Sequence, residues 1–214
     1  MRSSPFKSNK VMMIMAFRII FIGLLGLLLV NCSTGVEPSK KPGLLRVILQ
    51  PDQSDTTIVI ADETFVMSEK DEYTILISQG RIFRPDSSYF QLFPNTNTYT
   101  SLDLTFNLNQ RDSITNLYAP VQVFATYLPV DEYNQLQFAM YGQRVTVGGI
   151  EIPLQLPQGA SPTLDLPINL QIKEGEITEI ILKMGLFQSV TRYQDIFLFT
   201  PKIDVVSINY LGRY

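Results

Sequence analysis

The chain has 214 residues, 45% of them hydrophobic, with 17 basic and 20 acidic side chains, a net charge of −3, one cysteine and no histidine. A single cysteine excludes an internal disulfide, and the missing histidine removes the commonest general base and metal ligand. The acidic balance argues against nucleic acid, whose binding rests on basic footprints.

Residues 1–31 contain Arg2, Lys7, Lys10 and Arg18 but no acid, and run apolar from Val11 to Val30. This charged-then-apolar order is that of a secretory signal. The apolar run is long enough to span a bilayer, yet Arg18 near its middle costs about 2.5 to 3.5 kcal/mol on insertion scales, which weakens a permanent transmembrane helix. Translation from Met15 removes the conflict, because Arg18 then becomes the basic end and Ile19–Val30 an apolar stretch of signal-peptide length. Next comes Leu29-Val30-Asn31-Cys32-Ser33, which resembles the lipobox of bacterial lipoproteins, with Leu three residues before the cysteine. It departs at Asn31, where Gly, Ala or Ser is usual, and there it resembles the looser spirochaete pattern. The resemblance implies cleavage before Cys32 and a covalent lipid on Cys32 as the membrane anchor, with no other cofactor. Ser33 and Thr34 lack the aspartate that keeps enteric lipoproteins in the inner membrane, which leans toward the outer membrane and leaves surface and periplasmic faces open.

Removing residues 1–31 takes away four basic residues and no acidic ones, so the 183 residues that remain carry −7. That length suits one domain with a full core. Residues 32–43 form the lipidated cysteine and a Ser, Pro, Gly and Lys tether, and 44–214 a single domain. From Leu44 onward the dominant period is two, with turn clusters every eight to twelve residues, which predicts an all-β, antiparallel β-sandwich or barrel. Strands are predicted at 44–50, 57–61, 73–78, 88–93, 119–128, 136–141, 196–200 and 202–208. The clearest alternations are Leu102 to Leu108 and Leu164 to Ile172; Pro167 lies on the outward set of the latter and predicts an edge strand or a bulge. Gly148-Gly149 between Val147 and Ile150 predicts a type I′ hairpin, and Lys173-Glu174-Gly175-Glu176 a second hairpin into Ile177–Met184. Residues 109–118 read equally as a short helix or a long loop.

The second half, Gln143 to Ile208, resembles a family of exported bacterial lipoprotein domains of unknown function. The features it shares with that family are Leu156-Pro157-Gln158-Gly159, the long alternating strand 164–172, the aliphatic strand Ile180 to Val190 and the proline-led strand from Thr200 to Val206. The resemblance implies an immunoglobulin-like or transthyretin-like sandwich. Where such domains often carry acids around an aromatic, this chain has Lys183-Met184-Gly185-Leu186, so a site built on those acids is not expected.

Asp52, Asp55, Asp62, Glu63, Glu69, Asp71 and Glu72 are oxygen ligands of the kind calcium uses, but their spacing fits no loop motif, and they read as solvated turn acids with no metal. No Ser-Xaa-Xaa-Lys or Gly-Xaa-Ser-Xaa-Gly occurs, so a catalytic role is not expected, an enzyme using a carboxylate pair being the third reading. Ten Tyr and 13 Phe read as core and strand residues first. Tyr127, Tyr133 and Tyr141, taken as exposed in the 127–141 stretch, mark the candidate contact surface. The leading functional expectation is a non-catalytic, membrane-anchored binding or adhesion module contacting a host macromolecule, a glycan or an envelope protein through loops at one end of the sandwich. The alternative is a periplasm-facing structural subunit of an envelope complex.

Overall fold

Side chains alternating in and out along extended backbone build nearly every element of this chain. The computed structural model describes residues 40–93 and 104–214. The signal segment, Cys32, the tether through Ser39 and the Leu102-Asp103 start of one alternating run lie outside them. In chain order the strands are β1 (Gly43–Pro51), β2 (Thr57–Ile60), β3 (Glu63–Val66), β4 (Glu72–Phe83), β5 (Tyr89–Leu92), β6 (Leu104–Asn107) and β7 (Val121–Leu128). They continue with β8 (Glu132–Val147), β9 (Ile150–Gln155), β10 (Thr163–Gln171), β11 (Glu176–Gly185), β12 (Val190–Tyr193), β13 (Ile196–Phe199) and β14 (Lys202–Arg213). Among the described residues there is no helix long and apolar enough to cross a membrane.

The fold is all-β, a sandwich of packed sheets. One sheet has the order β14-β11-β1-β7; a second runs β12-β13-β9-β8-β4-β5, with β10 also pairing β8 and β6 also pairing β4; a small third sheet pairs β2 with β3. Pairing is antiparallel except for β1 with β11 and β13 with β9. The inward faces meet through Leu45, Val47 and Leu49 of β1 and Ile180, Leu182 and Met184 of β11 on one side, and Ile75, Ile77, Leu136, Phe138 and Met140 on the other, all buried. Phe124 of β7 and Phe138 of β8 meet edge-on at 5.7 Å across the layers, a geometry favoured by the ring quadrupoles. Tyr73, fully buried, ties the layers again by donating its hydroxyl to the Leu186 carbonyl at 2.6 Å.

Gly148 and Gly149 both take positive φ, at 57° and 79°, and Val147 faces Ile150 across the turn, as the glycine pair predicts. Pro167 is exposed on β10, whose register against β8 shifts between Pro167 and Leu170, so the strand has the predicted bulge. The 173–176 turn departs from expectation. Gly175 is left-handed at φ 64°, but β10 pairs β8 while β11 pairs β1 and β14, so the turn passes the chain from one sheet to the other instead of closing a hairpin. Local turn chemistry sets the reversal and not the partner, which is chosen by burial of Ile172 and Ile180 in the shared core.

The strand predicted at 136–141 and the first arm of the Gly148-Gly149 hairpin are not separate elements. Leu136, Phe138 and Met140 point inward, and so do Val145 and Val147. The odd spacing from Met140 to Val145 breaks the period, and β8 absorbs it with a register shift at Gln143, remaining one strand of 16 residues. Residues 109–118 are a loop, closed by an Arg111–Tyr118 bridge.

β1 gives the sandwich its polarity. At Gly43 it lies beside Leu128, Ile172 and Lys173; at Pro51 it lies beside Met184. Residues Lys40–Tyr214 form one compact unit, which the chain enters at the Gly43 end.

Candidate binding cleft

The Pro51 end gathers turn 52–56, turn 67–71, loop 108–120, hairpin 148–149 and turn 185–189, and carboxylates bind these segments to one another. Asp52 accepts hydrogen bonds from the Ser54 N–H at 3.0 Å and hydroxyl at 2.8 Å and pairs with Lys183 Nζ at 2.8 Å. Asp55 Oδ2 accepts the Phe187 and Gln188 N–H groups at 2.8 and 3.0 Å. Asp71, 6% exposed, accepts the Ser68 N–H at 2.6 Å and hydroxyl at 2.8 Å on one oxygen and the Gly148 N–H at 3.0 Å on the other. The reading of these three as solvated acids is therefore corrected. Each neutralises backbone donors that a reversal leaves without a strand partner. Asp62 and Glu63 are exposed, and Glu72 faces Arg144 at 3.2 Å. Among the described residues no group of three or more acidic, His or Cys side chains is placed to hold a metal ion.

The Lys183 ammonium and the Ser54 donors hold the Asp52 carboxyl at a pKa of about 2, against an ordinary 3.8. The folded value is the depressed one, so the stabilisation is fully present above pH 3.8 and is lost as pH falls through about 2. With Lys183 half-exposed, solvent screening limits the effect. Asp52→Asn is expected to lose about 1 kcal/mol at neutral pH, and urea unfolding across pH should show the difference from the parent vanishing near pH 2.

Loop 108–120 is built on these clamps. Gln53 grips Tyr118 twice, accepting its N–H at 2.7 Å and donating to its carbonyl at 3.0 Å. Arg111 lies over the Tyr118 ring at 4.5 Å and donates to the Asn116 and Met67 carbonyls. Burial raises the Tyr118 hydroxyl pKa, opposed by Arg111. At the tip, Asp112 Oδ1 accepts from Ile114 N–H, Thr115 N–H and the Thr115 hydroxyl, and Asn116 takes the left-handed φ of 55° that its side chain tolerates. Beneath, Asn109 is 3% exposed and donates Nδ2 to the Ser68 and Asp71 carbonyls at 2.7 and 2.6 Å, while its Oδ1, closed off from solvent, finds no partner among the described residues.

Between these groups lies a recess of about 580 Å³, within the size range of ligand sites. Its lining includes Glu69, Asn107, Asn109, Gln110, Arg111, Asp112, Ser113 and Asn116, a wall of amides, a hydroxyl, two carboxylates and a guanidinium together with their hydrocarbon stems. The Thr115 and Ile114 donors lower the pKa of the Asp112 carboxyl, and Glu69 is exposed at the rim.

The three tyrosines do not come together. Tyr127, 60% exposed, stands on β7 and meets the Tyr214 ring at 5.7 Å. Tyr141, 36% exposed, stands on β8 in the other sheet. Tyr133 is a correction: it is 1% exposed, pointing inward from the start of β8 against Phe90, with its hydroxyl donated to the Pro129 carbonyl at 3.1 Å. That internal partner lets a polar tip be buried. The loop signal that sequence reading missed is the density of polar side chains in Asn107-Leu-Asn-Gln-Arg-Asp-Ser-Ile-Thr-Asn116, high for a segment that is neither a strand nor a short turn. No family model matches the chain, and no curated protein matches it.

Proposed function

We propose that the protein is a bacterial lipoprotein, cleaved before and lipidated on Cys32, that serves as a non-catalytic binding module of the cell envelope and engages its ligand through the loop cluster at the Pro51 end of the sandwich. The observation that carries this reading is the position of the 107–116 recess. It lies at the end opposite Gly43, where the chain leaves the tether. An anchor at Cys32 therefore attaches to one end of the domain and leaves the clamped loops at the other end for contact. The loop tip also presents Ile114 at 91% exposure and Leu117 at 50%, exposed apolar area of the kind a contact face carries.

A photo-crosslinking residue placed at Ser113, on the rim, and in a second strain at Glu174, at the Gly43 end, tests this on intact cells. Crosslinked adducts are expected from Ser113 and not from Glu174. Equal capture from both, or none from Ser113, contradicts a contact face at the Pro51 end.

A further inference from the structure

We infer that the Gly43 end of the domain rests on the phospholipid surface, with Tyr127, Tyr210, Leu211 and Tyr214 seated among the lipid headgroups. This rests on the Cys32 anchoring proposed above and names the surface that the anchored end meets. Tyr127 lies in the last turn of β7 toward Leu128, and Tyr210 and Leu211 in the last residues of β14, so the ends of both outer strands of one sheet bring them to the Gly43 end. There Tyr127, Tyr210, Leu211 and Tyr214 are 60, 46, 52 and 56% exposed. Tyr89, paired with Phe83 at the same end, joins them, so that among the described residues only Tyr141 and Tyr193 are exposed tyrosines elsewhere. Backbone holds two of the hydroxyls: Tyr214 donates to the Pro42 carbonyl at 2.7 Å, and the Tyr210 oxygen accepts the Gln171 N–H at 3.3 Å. The Tyr127 and Tyr214 rings pack at 5.7 Å, and the Lys173 ammonium lies over the Tyr210 ring at 5.1 Å. Exposed rings with satisfied polar tips and a neighbouring lysine are what the membrane–water interface favours. The tether decides what covers them. Pro42, which holds Tyr214, follows Cys32 by ten residues, and from Cys32 to Lys40 the backbone spans at most about 29 Å. A lipid on Cys32 thus holds the patch against the bilayer at an effective concentration of about millimolar, where a modest affinity suffices to seat it. Charge gives the contact no sign preference, because Lys40, Lys41, Lys173 and Arg213 are matched by Asp86, Glu132, Glu174 and Glu176, and Arg84 pairs with Asp131 at 2.8 Å. Apolar and aromatic area therefore carries the attraction, and anionic lipid is not required.

The chain contains no tryptophan, so a single Trp reports on its own position. Tyr127→Trp and Leu211→Trp at the Gly43 end, and Leu117→Trp at the Pro51 end, are each made in the full acylated chain, whose intact mass is checked first. The proteins are then reconstituted in phosphatidylcholine vesicles with and without a nitroxide placed just below the headgroups. Both reporters at the Gly43 end are expected to emit at shorter wavelength on reconstitution and to be quenched by the nitroxide, while Leu117→Trp does neither. A shift to shorter wavelength without quenching marks burial against protein, a second copy included, and overturns the lipid contact. So does an acylated chain in which neither Gly43-end reporter responds, or one in which all three are quenched equally; in these cases the anchor at Cys32 stands without the seated surface. A chain that carries no acyl group fails earlier, at the mass, and overturns the anchoring reading together with this inference.

Discussion

Asp71→Ala is expected to lower stability by about 3 kcal/mol, or about 6 to 12 °C in melting temperature for a domain of this size. The carboxylate accepts three hydrogen bonds, and its removal strips a partner from two backbone N–H groups, those of Ser68 and Gly148. It also loosens the 68–71 turn, whose carbonyls hold Asn109. The damage should therefore spread: amide exchange in 107–118 is expected to quicken along with 68–71 and 148–149. Glu63→Ala, at an exposed position of β3, should move the melting temperature by less than about 2 °C. A loss at Asp71 no larger than that at Glu63, followed by circular dichroism, would show that the clamp does not hold the loop cluster.

A second large effect is expected at Gly142. A Cβ there would lie 2.5 Å from Cγ of Phe199 and 2.9 Å from a methyl of Leu154, and both side chains belong to the buried core. Phe199 is fully buried in β13 and cannot retreat without moving its strand, so Gly142→Ala overpacks the core and should cost about 2 to 3 kcal/mol. If the clash with Phe199 is the cause, Phe199→Leu in the same chain relieves it, and the double variant falls short of the sum of the singles by about 1 kcal/mol or more. Additive losses in urea unfolding would place the strain elsewhere.

The elements legible in the sequence share one property: neighbouring residues decide them. The glycine pair at 148–149 sets its own turn, and Pro167 removes its own ladder donor, so both were open to reading from composition. What escaped depends on distant partners. The continuity of β8 requires β4 alongside it to tolerate a register shift near Gln143, and no local signal distinguishes that from two strands. The 173–176 turn looks like any other Gly-containing reversal until the two sheets claim its flanks. The acids at 52, 55 and 71 looked like solvent-facing turn residues because each also binds a donor on a distant segment: Lys183 for Asp52, the Gly148 N–H for Asp71, and for Asp55 the Gln188 N–H, 133 residues away. Tyr133 was misplaced for a related reason, since its hydroxyl partner, the Pro129 carbonyl, is visible only once the chain turns back. The recess at 107–116 was partly legible as a polar segment of uncertain form, and only the clamps reveal why it is held open.

These clamps, the entry of the chain at Gly43 and the recess at the opposite end have a functional meaning only if the protein is fixed at its N-terminal side. Anchoring at Cys32 is thus the central claim, and the intact mass of the protein extracted from membranes tests it directly. The predicted species begins at Cys32 and carries the added mass of a diacylglyceryl group, with or without an N-acyl chain. A chain that retains residues before Cys32, or one that begins at Cys32 without acyl groups, would contradict the account.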